Sequence, residues 1–87
     1  MNAQIKKYVK ERDKMLKKCD VNELRKFVNT HKHFYSEKFL RAINAASDDL
    51  LKVVLHKMIV NAIKLPHKMR TRSAIWLVAQ GYDININ

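Results

Sequence analysis

Apolar residues fall in five blocks along this chain, and in each block their spacing is that of an α-helix. In the first, Ile5, Tyr8, Val9, Met15, Leu16 and Cys19 recur at steps of three and four, which predicts a helix over residues 3–18 with one buried stripe. Arg12 interrupts the stripe and is expected to extend its head to solvent. Cys19, the last member, is expected to behave as a small buried hydrophobe. Asp20 with Glu23 three positions on has the form of a capping box and starts a second helix to about residue 30, burying Leu24, Phe27 and Val28. His31, Lys32, His33, Phe34 and Tyr35 read as a loop. Ser36 then caps a third helix whose inward face holds Phe39, Leu40, Ile43 and Ala46.

Ser47, followed by Asp48 and Asp49, is a strong helix start, because acids suit the positive end of a helix dipole. The fourth helix, over about residues 48–64, is apolar on most of its circumference, including Leu50, Leu51, Val53, Val54, Leu55, Met58, Ile59, Val60, Ala62 and Ile63. Such a helix belongs at the centre of a core. Pro66 fits the first turn of a fifth helix, where its missing N–H costs nothing. That helix runs to about residue 80 and buries Met69, Trp76 and Leu77. Gly81 supplies a left-handed C-cap, with Tyr82 placed to pack back over the last turn. Residues 83–87 form a tail that alternates apolar and polar but is too short for a sheet.

The fold class predicted is all-α, with about five helices in one domain over residues 1–87. Residues 1–19 form a basic amphipathic covering helix, 20–82 the helical core and 83–87 the tail. The alternatives are a compact bundle and two stacked helix pairs. Composition agrees with this. One Gly and one Pro in 87 residues leave little turn chemistry for hairpins, and 47% apolar content is too high for a disordered tail. The single cysteine rules out an internal disulfide and fits a reducing, cytoplasmic setting. No apolar run approaches the roughly 20 residues that span a bilayer, and the first 18 residues lack a signal peptide's apolar block.

Charge changes the picture more. The net charge is +10, and it is uneven. Residues 1–20 carry seven bases and three acids, residues 21–50 five and four, and residues 51–72 six bases and no acid. Lys57, Asn61, Lys64 and Lys68 fall near one helical face of a helix running through 64, and Arg70 and Arg72 extend the field. A solvated face on a Lys-rich protein accounts for such a run. A merely soluble surface, however, normally mixes both signs, which favours a partner surface. The candidate partner-binding residues are therefore Lys57, Lys64, Lys68, Arg70 and Arg72. Trp76 and Tyr82 are added as apolar anchors at the rim, with Ile84 and Ile86 as further candidates, since protein interfaces need buried anchors.

An acidic protein surface is the partner expected first. Nucleic acid is the alternative, using Lys64, Lys68, Arg70 and Arg72 on phosphates, although Phe34 and Tyr35 are a thin stacking platform. Lys6, Lys7, Lys10, Lys14, Lys17 and Lys18 oppose the apolar stripe of the first helix and leave peripheral membrane association open. Surplus apolar surface on the fourth helix leaves a homodimer open, against the repulsion of +10 per chain. The four histidines and Cys19 match no zinc spacing, and ordinary loop and helix-end positions explain them. Asp48 and Asp49 are explained by capping, and no Gly-rich phosphate loop exists. The expectation is a non-enzyme without cofactor or metal.

Residues 74–85 look like the closing helix and turn of an ankyrin repeat, though that family's Thr-Pro-Leu-His start is only hinted at by Leu65, Pro66 and His67. In its opening run, Met1-Asn2-Ala3-Gln4-Ile5-Lys6-Lys7, and in its overall composition, the chain resembles the short Lys- and Asn-rich regulatory proteins of T-even bacteriophages, the cytoplasmic lysis-inhibition accessory proteins among them. That resemblance implies binding to the soluble part of a holin, in an antiholin-like role that delays membrane permeabilisation.

Overall fold

The computed structural model describes residues 2–84. Asn85, Ile86 and Asn87, and with them the candidate anchor Ile86, lie outside the described residues. Five α-helices follow one another: α1 (Ala3–Lys18), α2 (Val21–Thr30), α3 (Glu37–Ala45), α4 (Asp48–Asn61) and α5 (His67–Ala79). The segment expected as a loop contains one short 3-10 turn, Lys32–Phe34. The all-α class stands.

Polar caps mark most of the starts. The Asn2 side chain accepts from the Gln4 N–H, Ser36 Oγ from the Phe39 N–H and Ser47 Oγ from the Leu50 N–H. Asp20 accepts from the Asn22 N–H at 2.7 Å, but the capping box does not close, because Glu23 turns instead toward Lys18. The last helix ends in a Schellman motif. Gly81 has φ +90°, its N–H bonds the Val78 carbonyl, and the Tyr82 N–H bonds Leu77.

Two expected boundaries shift around Pro66. It is the residue before α5 rather than within its first turn, and α4 stops at Asn61, three residues short of Lys64. In a continuous helix the N–H of residue 66 would serve the Ala62 carbonyl, and proline has none. Leu65 donates to that carbonyl at 2.9 Å instead, which closes a tight turn. The turn buries Ala62 and Leu65 and throws Ile63 outward, 79% exposed.

The main core gathers Met15 and Leu16 of α1, Leu24, Phe27 and Val28 of α2, Ile43 of α3, and Leu51, Leu55, Ile59, Ala62 and Leu65. The central helix is thus α4, as its composition predicts. Its other side faces α5, its main neighbour, where Ser73, Ala74 and Leu77 are buried. The helix α2 touches α1, α3 and α4, so two pairs, α2–α3 and α4–α5, lie side by side with α1 across them. Polar contacts set the registers. Asn29 and Asn44 exchange amide hydrogen bonds at 2.8 and 3.0 Å between α2 and α3, and Arg25 donates to the Ala46 carbonyl.

An aromatic cluster holds α1 down. Tyr8 stacks on Phe34 at 4.3 Å, lies 5.6 Å from Phe27, and shares a hydrogen bond with the Tyr35 hydroxyl. Burial, with the Tyr8 bond adding to it, pushes the Tyr35 hydroxyl well above its ordinary pKa, so it stays neutral. His31 lies 4.1 Å from Phe27, with its two ring nitrogens against the Phe27 carbonyl and the Glu11 carboxylate.

Three expectations for α1 are corrected: Ile5, expected on the buried stripe, is 43% exposed in the first turns of the helix. Arg12 does not reach into solvent but is partly buried and bonded to Asp13 at 3.0 Å. Cys19 is exposed rather than buried. It is the left-handed C-cap of α1, at φ 50°, and the chain reverses there, so the helical stripe ends at Leu16. A β-carbon in this conformation costs about 1–2 kcal/mol. Cys19→Gly is therefore expected to raise the urea midpoint, by about 1 kcal/mol of stability, and Cys19→Val to lower it. A midpoint that falls in both variants would show that the cysteine side chain contributes packing that its exposure does not suggest.

Candidate interaction site

Lysines at positions 6, 10, 14 and 17 recur at steps of four, four and three, so they share one flank of α1. Across from them stands the tight turn after α4. Between the two runs a groove of about 930 Å³. One wall is Lys6, Val9, Lys10, Arg12, Asp13, Lys14 and Lys17 of α1, and the other is Asn61, Ile63, Lys64 and Leu65. Val9 and Ile63 give it apolar surface between basic rims, while Leu65 beneath them is buried in the core. Six bases line it against one acid, and that acid, Asp13, is already engaged by Arg12. Among the described residues, no carboxylate pairs with Lys6, Lys10, Lys14, Lys17 or Lys64.

The seven residues predicted to bind a partner do not form one surface. Lys64 alone lines this groove. Because α4 ends at Asn61, Lys64 and Lys68 do not continue the helical face of Lys57, and the expected stripe is broken. Lys57 places its ammonium 5.0 Å from the centre of the Tyr82 ring, a cation–π contact within one chain. Arg70 is partly buried, and its Nε donates to the Leu65 carbonyl at 3.2 Å, so it braces the turn. Lys68 and Arg72 are exposed on α5.

Trp76 and Tyr82 border a second, shallower depression of about 600 Å³, with Leu50, Val53, Asp49, Lys52 and Gln80. Trp76 is half-buried and stacks on His56 at 4.3 Å, while His56 Nδ1 lies 2.9 Å from Ser73 Oγ. Leu50 is 50% exposed and Tyr82 37%, so the anchors cluster, away from the lysine rims of the groove. Ile84 lies by Lys57, Val60 and Leu77.

The candidate residues read from the sequence do not include the lysines of α1. Their sequence signal was the second basic pole, residues 1–20. Nothing local says that this pole meets the turn at Lys64, because that depends on how α1 crosses the α4 end. Among the described residues no three His, Cys, Asp or Glu side chains come together as metal ligands, and no helix is long and apolar enough to cross a membrane. Comparison with family models, curated proteins and solved structures finds no match to the chain.

Burial, and secondarily Lys52, holds His56 below its ordinary pKa. The unfolded chain therefore binds this proton more readily than the folded one. The stability His56 confers is complete above about pH 6.5 and is lost as pH falls toward the depressed folded value. Urea melts at about pH 7.5 and about pH 5.5 should show a larger acid loss in the wild type than in His56→Gln. Equal losses would mean that the ring is protonated in place without cost.

Proposed function

We propose that this is a small basic regulatory protein, without catalytic chemistry of its own, that seats an acidic surface of a partner protein in the α1–α4 groove and thereby modulates the partner. One observation carries this reading: five lysines with no carboxylate partner among the described residues rim a groove that has apolar surface and whose single acid, Asp13, is already paired with Arg12. Rim charges of one sign steer an oppositely charged partner, and the apolar surface between them gives it something to bury. The resemblance to T-even lysis-inhibition accessory proteins supplies a concrete partner class, the soluble part of a holin, met in the cytoplasm of an infected cell.

Nucleic acid is the second reading. It draws on the adjoining hollow, where Arg12 and Lys57 flank Tyr35 and Phe39. Those two rings stack on each other at 5.1 Å, and Tyr35 is bonded to Tyr8, so neither is free to take a base between them.

The test is capture from bacterial lysate, with and without nuclease treatment, using tagged wild type and a Lys10→Glu, Lys14→Glu, Lys64→Glu variant, each washed at roughly 0.15 M salt. A protein retained by the wild type, and held at least about tenfold more weakly by the variant, is expected. Recovery that disappears with nuclease moves the groove onto nucleic acid.

A further inference from the structure

We infer that the groove takes an acidic amphipathic α-helix, laid along α1 with its apolar stripe on Val9 and Ile63 and its carboxylates toward the lysines on both rims. This rests on the reading of the groove as the partner site, and it specifies the shape and pattern of what binds there.

Backbone hydrogen bonding decides between a helix and an extended segment. One wall of the groove is α1, whose N–H and C=O groups are used within the helix, and the described residues contain no strand. An extended peptide entering here would find no sheet edge to pair with. An occupant that buries its backbone must satisfy its own N–H and C=O groups, and a helix does so. A polyproline segment needs an aromatic-lined groove, and no aromatic side chain lines this one.

Charge and apolar surface give the pattern. Lys10, Lys14 and Lys17 stand on one rim and Lys64 on the other, while Ile63 projects with 79% of its surface open. A helix with acids flanking a Leu- or Ile-type stripe satisfies both rims and covers Ile63. A phosphate backbone would leave Ile63 and Val9 against hydrated sugar, and a lipid surface cannot follow a concave cleft. The lysine run from 6 to 17 spans about 17 Å of helix, so the contact covers about three turns of the occupant.

The probe is a labelled synthetic peptide of about 14 residues with Glu flanking a Leu stripe at helical spacing. Its control has the same composition reordered to alternate every second residue. Fluorescence anisotropy with the whole chain is expected to show the helical peptide binding at least about tenfold more tightly than the control, with a gain of helical circular dichroism on mixing. Ile63→Asp, at an exposed position that leaves the core intact, is expected to remove at least about tenfold of that affinity. Equal binding of the two peptides, or indifference to Ile63→Asp, would overturn the inference. So would preferential binding of an oligo-dT strand or of phosphatidylglycerol vesicles over the helical peptide. If the three lysine reversals still release the captured protein while the peptides bind alike, the helical occupant is wrong and the groove remains the partner site. If the reversals release nothing, both readings fall.

Discussion

The α4 helix has apolar residues on two sides and cannot be covered by a single neighbour, and the rest of the architecture answers that constraint. Leu51, Leu55, Ile59 and Ala62 face the core built with α1, α2 and α3, while α5 closes the opposite side with Ser73, Ala74 and Leu77 buried against it. The small residues Ser73 and Ala74 leave room for His56, whose ring is held between a serine hydroxyl and an indole face. Burying α4 from both sides also pushes the charges outward. The lysines of α1 and of the α4–α5 connection have only the surface left to occupy.

How those charges are distributed is set by Pro66. It interrupts what would otherwise be a longer helix, and the turn it forces sends Leu65 inward, Ile63 outward and Lys64 toward α1. Arg70 then secures that turn through the Leu65 carbonyl, which turns a residue that reads as a phosphate or carboxylate ligand into a brace. One missing N–H thus shapes a wall of the groove. The opposite wall is held by the aromatic cluster around Tyr8, which ties α1 to α2 and to the segment at Phe34 and Tyr35.

Regulation by occupancy, as proposed, places demands on the partner. The groove's apolar part is small, so affinity has to come from a partner that matches both the lysine rims and Ile63 together. Long lysines on a helix also reach and adapt, which favours rapid, salt-sensitive encounter over rigid lock-and-key fit. The separate cluster of Leu50, Trp76 and Tyr82 offers bulkier anchors but carries both Asp49 and Lys52 at its edge, and it lacks the single-signed field of the groove.

By itself the sequence determined the helical class, five helices with their serine starts and glycine stop, the centrality of α4, and a two-pole positive charge. These follow from short-range rules: periodicity, capping and composition act within a few residues of one another. Where those rules meet competition, the tertiary structure overrides them. Cys19 continues an apolar stripe on paper, yet the reversal between α1 and α2 takes it as a left-handed cap. Lys57, Lys64 and Lys68 share a helical face only if a helix runs through all three, and Pro66 prevents that. Which basic residues stand together was decided by tertiary structure alone. The lysines of α1 and Lys64 are more than 45 positions apart in sequence, and only the packing of α1 against α2 and α4 brings them onto one groove.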